Sequence, residues 1–311
     1  MIGAAKPTTM VVPLAGALAL FVAVGLAGLY RYVDSYWLYR GFAPPHDPAF
    51  VKEQGTLQTI EVPSAVIGGR SQQVVVYLPP GYAQSTQRYP VLYLLHGFPG
   101  DPQGFVRTIR VGVVEDTLLA ENKMQPTIIA MPMGSTGVFT DEEWANGVHP
   151  NSGWETFFAR DVVRAIDARF RTIPQGSARA LGGLSEGGYA SLNIGLHHPA
   201  EFRVLESWSG YEKADNVKSI FGGRPDLLLR NSPLLTLPKV ASKLRREHAY
   251  VWFYTGSTDR DRRQNRRFAA ELTRFRIAHR FFVSDGGHTW RIWRDNAWAA
   301  VEVASAHLAH G

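Results

Sequence analysis

Ser185 stands in the run Gly182-Gly183-Leu184-Ser185-Glu186-Gly187-Gly188, one hydroxyl with glycines on both sides. Gly-x-Ser-x-Gly between a strand and a helix describes a turn so sharp that side chains at its outer positions would strike neighbouring backbone. It pushes the serine outward and sets it at a helix N-terminus, where N–H groups and the positive dipole end favour an oxyanion. The chemistry of such a serine is attack on an acyl carbon, and the hydroxyl is a weak nucleophile until a base takes its proton. Among ten histidines, His288 follows the Gly286-Gly287 turn of "SDGGHTWRIW" at the end of a late apolar run, and it is the candidate general base. His197 and His198 end the helix after Ser185 and read as structural; His248, His279, His307 and His310 lie in helical or terminal contexts. The acid that orients the imidazole belongs after the preceding strand, where "YTGSTDRD" offers Asp259 first and Asp261 second. Asp259 is preferred for its place after the "TGS" turn, and Asp285 is too close in sequence to His288. The order Ser185, Asp259, His288 is the chain order this kind of site uses.

The oxyanion needs donors. The backbone N–H of Glu186 is one, and the loop "LLHGFPGD" (94–101) supplies a second at Phe98, with His96 bracing that loop rather than transferring protons. The segment "GSTGVFTDEEWANG" (134–147) follows another strand near the expected mouth. There Trp144 and Asn146 either line the pocket for the acyl or alcohol group or pack an ordered loop. Trp290, just after His288, is a further candidate substrate contact.

These residues must be held by strands and helices in alternation. Short apolar runs, "QQVVVYLPPG", "YPVLYLLHG", "QPTIIAMPMG", "SARALGGLS", "FRVLESWSG", "YVWFYTGS" and "HRFFVSDGG", read as strands. Between them, residues 153–170 place Phe158, Val162, Ile166 and Phe170 four apart on one helix face, and "EGGYASLNIGLHHP" is a helix stopped at Pro199. The alternation predicts an α/β protein with a mostly parallel sheet covered on both faces. Sites in such sheets form at the carboxyl ends of the strands, where Phe98, Ser185, Asp259 and His288 all fall.

With 311 residues, 45% hydrophobic and 19% charged, the chain has globular composition and length for a large core. It has no cysteine, which excludes disulfides and thiolate metal sites. No metal-ligand spacing and no phosphate-binding loop is present, so neither a metal nor an organic cofactor is implied. The net charge is +6, but the densest basic run, "DRDRRQNRRF" (259–268), interleaves acids and enters a helical pattern. It reads as a solvated helix face and not as a nucleic-acid surface.

The N-terminus differs from the rest. Residues 10–30 carry no charge and have about the length that crosses a bilayer. Tyr30, Tyr32, Tyr36, Trp37 and Tyr39 follow as an interfacial aromatic cluster. An uncleaved anchor is expected; Gly25-Leu26-Ala27 is the exit at which cleavage would instead release the remainder. The expected organisation is a tail over 1–9, a membrane helix over 10–30, a proline-rich linker over 31–50 and a catalytic domain over 51–311. Positive charge is nearly balanced across the segment, with Lys6 before it and Arg31 and Arg40 after it.

The chain resembles the esterase D branch of the α/β-hydrolases, a putative esterase family that includes the bacterial mycolyltransferases. The resemblance runs from about Gln58 to about Ala300 and rests on "YLLHGFPG", "GWETFFARDV", "GGLSEGGYASL" and "GGHTWRIW", in family order. The tryptophan soon after the base, Trp290 or Trp293, is part of it. It implies the α/β-hydrolase fold and acyl-ester chemistry through Ser185, His288 and Asp259. The substrate would be an acyl ester, lipid and glycolipid esters included. The "TGSTD" turn resembles the esterases, whereas the mycolyltransferases use a glutamate in a differently built segment. Hydrolysis is therefore expected ahead of acyl transfer to a sugar or lipid alcohol. A non-catalytic binding domain on the same fold is the third reading, disfavoured because nucleophile, base, acid and oxyanion loop are all present. Exported relatives are common in the family, which implies a catalytic domain outside the cytoplasmic membrane.

Overall fold

Eight strands form a single sheet: β1 (Thr56–Ser64), β2 (Arg70–Leu78), β3 (Val91–Leu95), β4 (Ile128–Pro132), β5 (Arg179–Leu184), β6 (Val204–Trp208), β7 (Tyr250–Gly256) and β8 (Ala278–Ser284). Their order across the sheet is β1-β2-β4-β3-β5-β6-β7-β8. From β4 to β8 every neighbouring pair is parallel, while β1 pairs antiparallel with β2 and β2 with β4. This computed structural model describes residues 11–214 and 219–310 and comprises two units, Met1–Pro44 and Pro45–Gly311. The tail expected over 1–9 and Met10 lie outside the described residues, as do 215–218 and Gly311 of the larger unit.

The central strands are apolar on both faces because both faces are covered. Successive residues go to opposite sides: Val74, Val76, Tyr93, Leu95, Ala130 and Phe253 enter one core, and Val75, Tyr77, Leu92, Leu94, Ile129 and Trp252 the other. The first core is closed by Trp154, Phe158, Val162 and Ile166, by Leu192 and Ile194 of the helix Glu186–His197, by Leu237 and Leu244 of Pro233–Arg246, and by Phe268 and Leu272 of Arg262–Arg274. The second is closed by Val114 and Leu118 of the helix Val111–Ala120 and by Ile292, Ala297 and Val301 of Trp290–His307. The four-residue spacing expected over 153–170 is buried as read, but the helix is not uniform. It runs as Trp154–Thr156, a π-wound segment Phe157–Val162, and Val163–Arg169. Phe157 and Phe158, at the start of the π-wound segment, are both buried in the core.

In the smaller unit, Val11–Tyr32 is one helix of 22 residues, about 33 Å long. From Leu14 onward its side chains are exposed, Leu18, Phe21 and Leu26 among them. A helix apolar all round belongs in an apolar surrounding. The stretch Leu14–Leu38 is long and apolar enough to cross a membrane. The start of the expected linker is itself helical: Val33–Leu38 is π-wound, with Tyr32 stacked on Tyr36 at 5.4 Å between centroids.

Candidate active site

The parallel order β5-β6-β7-β8 brings the carboxyl ends of four strands to one edge, and each end carries a polar side chain. Ser185 follows β5, Ser209 follows β6, Asp259 follows the end of β7, and His288 follows β8. Strands lie about 4.8 Å apart, so β8 ends roughly 14 Å from β5. The loop after β8 closes that gap by folding back over β7: the Ser257 N–H donates to Ser284 O at 2.8 Å and the Thr258 N–H to Gly286 O at 3.1 Å. Gly286 makes the reversal at φ 108°, a conformation that side-chain-bearing residues avoid.

Ser185 is held at φ 57°, ψ −118°, at the N-cap of the helix Glu186–His197. No helical or extended residue has this geometry; the close approach of strand, turn and helix enforces it. A Cβ on Gly183 would lie 2.6 Å from Leu95 O, and one on Gly187 would lie 2.8 Å from His96 O and closer still to Leu95 O. The glycines flanking Ser185 are therefore a packing requirement.

From the serine a hydrogen-bonded line runs inward. Ser185 Oγ lies 2.7 Å from His288 Nε2, and His288 Nδ1 lies 2.8 Å from Asp259 Oδ2. Asp259 also accepts from the Ser209 hydroxyl at 2.6 Å and from the Asp261 N–H at 3.1 Å. Burial alone would raise the Asp259 carboxyl, but the bonds from His288, Ser209 and the Asp261 amide outweigh it and hold it below the usual carboxylate range. Asp261 does not reach the histidine. Its carboxylate meets Arg260 and Gln264, and burial raises it. Ser209 has no counterpart in the sequence reading; its signal was its place at the end of the strand between those of Ser185 and Asp259.

The loop after β3 lies against the serine: a Cβ on Gly97 would sit 3.0 Å from Ser185 Cβ. This brings Phe98 to the same edge as Glu186, and the Phe98 ring is 43% exposed. His96 is buried, and burial pulls its pKa down to about 4. The Glu186 side chain points into the protein, where burial first, then Glu143 and Asp141, push its carboxyl well up. Glu143, which accepts from the Tyr211 hydroxyl, is raised by burial to about 8.

The loop residues Trp144 and Asn146 take the packing alternative. Trp144 has no exposed surface; its ring packs on His96 and Phe158, and its Nε1–H donates to His96 O at 3.1 Å. A side chain without exposed surface touches no ligand arriving from solvent. Both ends of the Asn146 amide engage Thr156, tying the loop to the start of the 154–169 helix. Trp290 is half-buried against Gly104 and Trp293. The tryptophan that meets His288 is Trp293, edge-on at 5.0 Å between centroids. His197 and His198 both bond Glu155, His279 meets Thr273, and His307 stacks on Tyr250. Among the described residues no cluster of three or more His, Cys, Asp or Glu is arranged to hold a metal.

The sequence matches the model of the family described as "Putative esterase" over residues 64–301. Over 154 residues it is 33% identical to an endo-1,4-beta-xylanase/feruloyl esterase of Xylanibacter ruminicola, covering 46% of this chain and 20% of that protein. Over 142 residues it is 34% identical to an esterase of Mycobacterium tuberculosis, covering 46% of this chain and 30% of that protein. The chain thus spans less than a third of the length of these two relatives. Its fold is similar to that of a ferulic acid esterase of known structure, with a TM-score of 0.72 at 23% identity, covering 83% of this chain and 100% of the other. The family match runs from the end of β1 into the helix Trp290–His307, well over half of the chain, and the chain belongs to the putative esterase family.

Proposed function

We propose that this chain is a serine carboxylic-ester hydrolase that works through an acyl-enzyme. The observation that carries the reading is the unbroken line Ser185 Oγ, His288 Nε2, His288 Nδ1, Asp259 Oδ2, with contacts of 2.7 and 2.8 Å. Ser185 Oγ attacks the ester carbon while His288 Nε2 takes its proton. The imidazolium formed keeps Nδ1–H on the ionised Asp259, whose depressed pKa suits that role. The N–H groups of Phe98 and Glu186 receive the developing oxyanion. Collapse expels the alcohol with the proton from His288, and water, activated by the same imidazole, releases the acid.

The relative named a feruloyl esterase suggests an aromatic acyl group. Phe98 and Phe139, the latter 70% exposed, offer aromatic surface on two loops joined by the Gly100 N–H to Val138 O bond. The apolar helix Val11–Tyr32 is proposed as a retained membrane anchor, with the catalytic domain on the extracytoplasmic side.

Labelling with a fluorophosphonate, followed by turnover of nitrophenyl esters of increasing chain length beside methyl ferulate, tests the reading. The expected result is labelling of the wild type and not of Ser185→Ala, with hydrolysis in preference to transfer when an acceptor alcohol is added. An unlabelled, inactive wild-type protein rejects it.

A further inference from the structure

We propose that His96 is a positioning residue for the oxyanion site, a neutral imidazole of fixed tautomer that aims the Phe98 N–H by holding the Gly97 carbonyl. The inference deepens the function proposed above and rests on it.

The tautomer follows from the partners. The Gly134 N–H donates to His96 Nε2 at 3.1 Å, so Nε2 carries no hydrogen. The hydrogen is then on Nδ1, which lies 3.0 Å from Gly97 O and donates to it. The ring is held on two further sides: it is buried, and the Trp144 indole packs on it at 5.0 Å between centroids while donating to the His96 carbonyl at 3.1 Å. Burial disfavours an imidazolium, and a proton on Nε2 would face the Gly134 N–H. A ring that never charges near neutral pH is a poor proton carrier and a good strut.

The consequence passes through one peptide plane. The Gly97–Phe98 bond is trans, so the Gly97 C=O and the Phe98 N–H point in opposite directions along a rigid unit. Fixing the carbonyl on His96 fixes the amide on the other side. Among the described residues the Phe98 N–H donates to no backbone acceptor, as a group kept for a ligand would. Gly100 closes the device from below: a Cβ there would lie 2.5 Å from Gly97 O, so only glycine leaves the carbonyl where His96 can hold it.

The two ring nitrogens can be separated by substitution. Asparagine places its amide near Nδ1, and glutamine near Nε2. His96→Asn keeps a donor for Gly97 O and loses the acceptor for Gly134; His96→Gln does the reverse. His96→Gln is expected to lower kcat by about 10²-fold, the effect of losing one oxyanion donor, with KM changed less than about threefold. Affinity for a boronic acid that forms a tetrahedral adduct on the serine should fall in parallel, and His96→Asn should recover most of both. Gly100→Ala leaves the imidazole intact and should reproduce the kcat loss. Equal kcat for the Asn and Gln variants, or wild-type kcat in Gly100→Ala, overturns the inference. Ser185→Ala run beside them keeps the two questions apart: activity surviving in that variant rejects the hydrolase reading itself.

Discussion

The indole of Trp293 stands perpendicular to the imidazole of His288, 86° between planes, while its own N–H donates to the Trp208 carbonyl at 3.0 Å. The histidine is 41% exposed at its side chain and sits on a loop, yet one wall of its rotamer space is a tryptophan tied to the end of β6. Trp293→Leu removes the wall and the tie. The expected outcome is a fall in kcat of about tenfold or more, from loss of geometry within the line, with ester KM nearly unchanged. Steady-state kinetics on one nitrophenyl ester checks it; unaltered kcat in a folded variant contradicts the role given to Trp293.

The two aspartates after β7 should separate clearly. Asp259 holds the imidazole, whereas Asp261 supplies its backbone N–H, which survives side-chain change. Asp259→Asn is expected to lose on the order of 10⁴-fold in kcat and Asp261→Asn less than about tenfold. If Asp261→Asn is the more damaged, the acid has been assigned to the wrong residue.

Gly187→Ala tests the packing of the sharp turn at Ser185. The added methyl would drive into the Leu95 carbonyl, which belongs to a central strand and cannot yield. Overpacking of this kind costs about 3 kcal/mol or more, lowering Tm by about 6 °C or more in a domain of this size. Thermal unfolding of the purified variant decides the matter, and an unchanged Tm removes the steric account of the flanking glycines.

Glu206 gives a pH dependence. Its carboxyl is fully buried in β6, accepts from the Trp208 Nε1–H, and is pushed by burial up to about 8. Between the ordinary glutamate value and about 8, the folded chain keeps a proton that the unfolded chain has released. Stability therefore falls as pH rises through that window and levels off above it. Glu206→Gln copies the protonated form and should flatten this group's part of the slope. Its advantage over wild type, measured by denaturant unfolding at pH 5 and pH 8, should grow toward pH 8. An advantage that shrinks over the same interval reverses the sign argued here.

The sheet was legible because its central strands are short runs of Val, Leu, Ile and aromatic residues closed by glycine or proline. The strand β1 was not, since it is an edge strand that leaves Leu57, Thr59 and Glu61 exposed and contains Pro63. Ser185, Asp259 and His288 could be read because each follows an apolar run at a strand's carboxyl end, and the structure places all three in one hydrogen-bonded line. Ser209 looked like half of an ordinary Ser-Gly turn; only the sheet order puts it under Asp259. Trp144 was ambiguous in the sequence because a loop aromatic can face either way. Its direction is set by Gly134, at the start of the same loop, and by His96, which is distant from it along the chain. Nor does any local pattern announce that Glu143, Glu186 and Glu206 have their carboxyls inside the protein.

The backbone at Ser185 carries a cost that the rest of the domain must bear. A serine at φ 57°, ψ −118° costs about 1–3 kcal/mol against a relaxed residue, whereas glycine reaches the same angles almost freely. Selection for durability alone would thus place glycine where the proposed nucleophile stands. Two proteins without the hydroxyl, Ser185→Ala and Ser185→Gly, should differ in melting temperature in the glycine's favour, and the gap between them measures how much robustness this fold forgoes to keep a hydroxyl pointing outward.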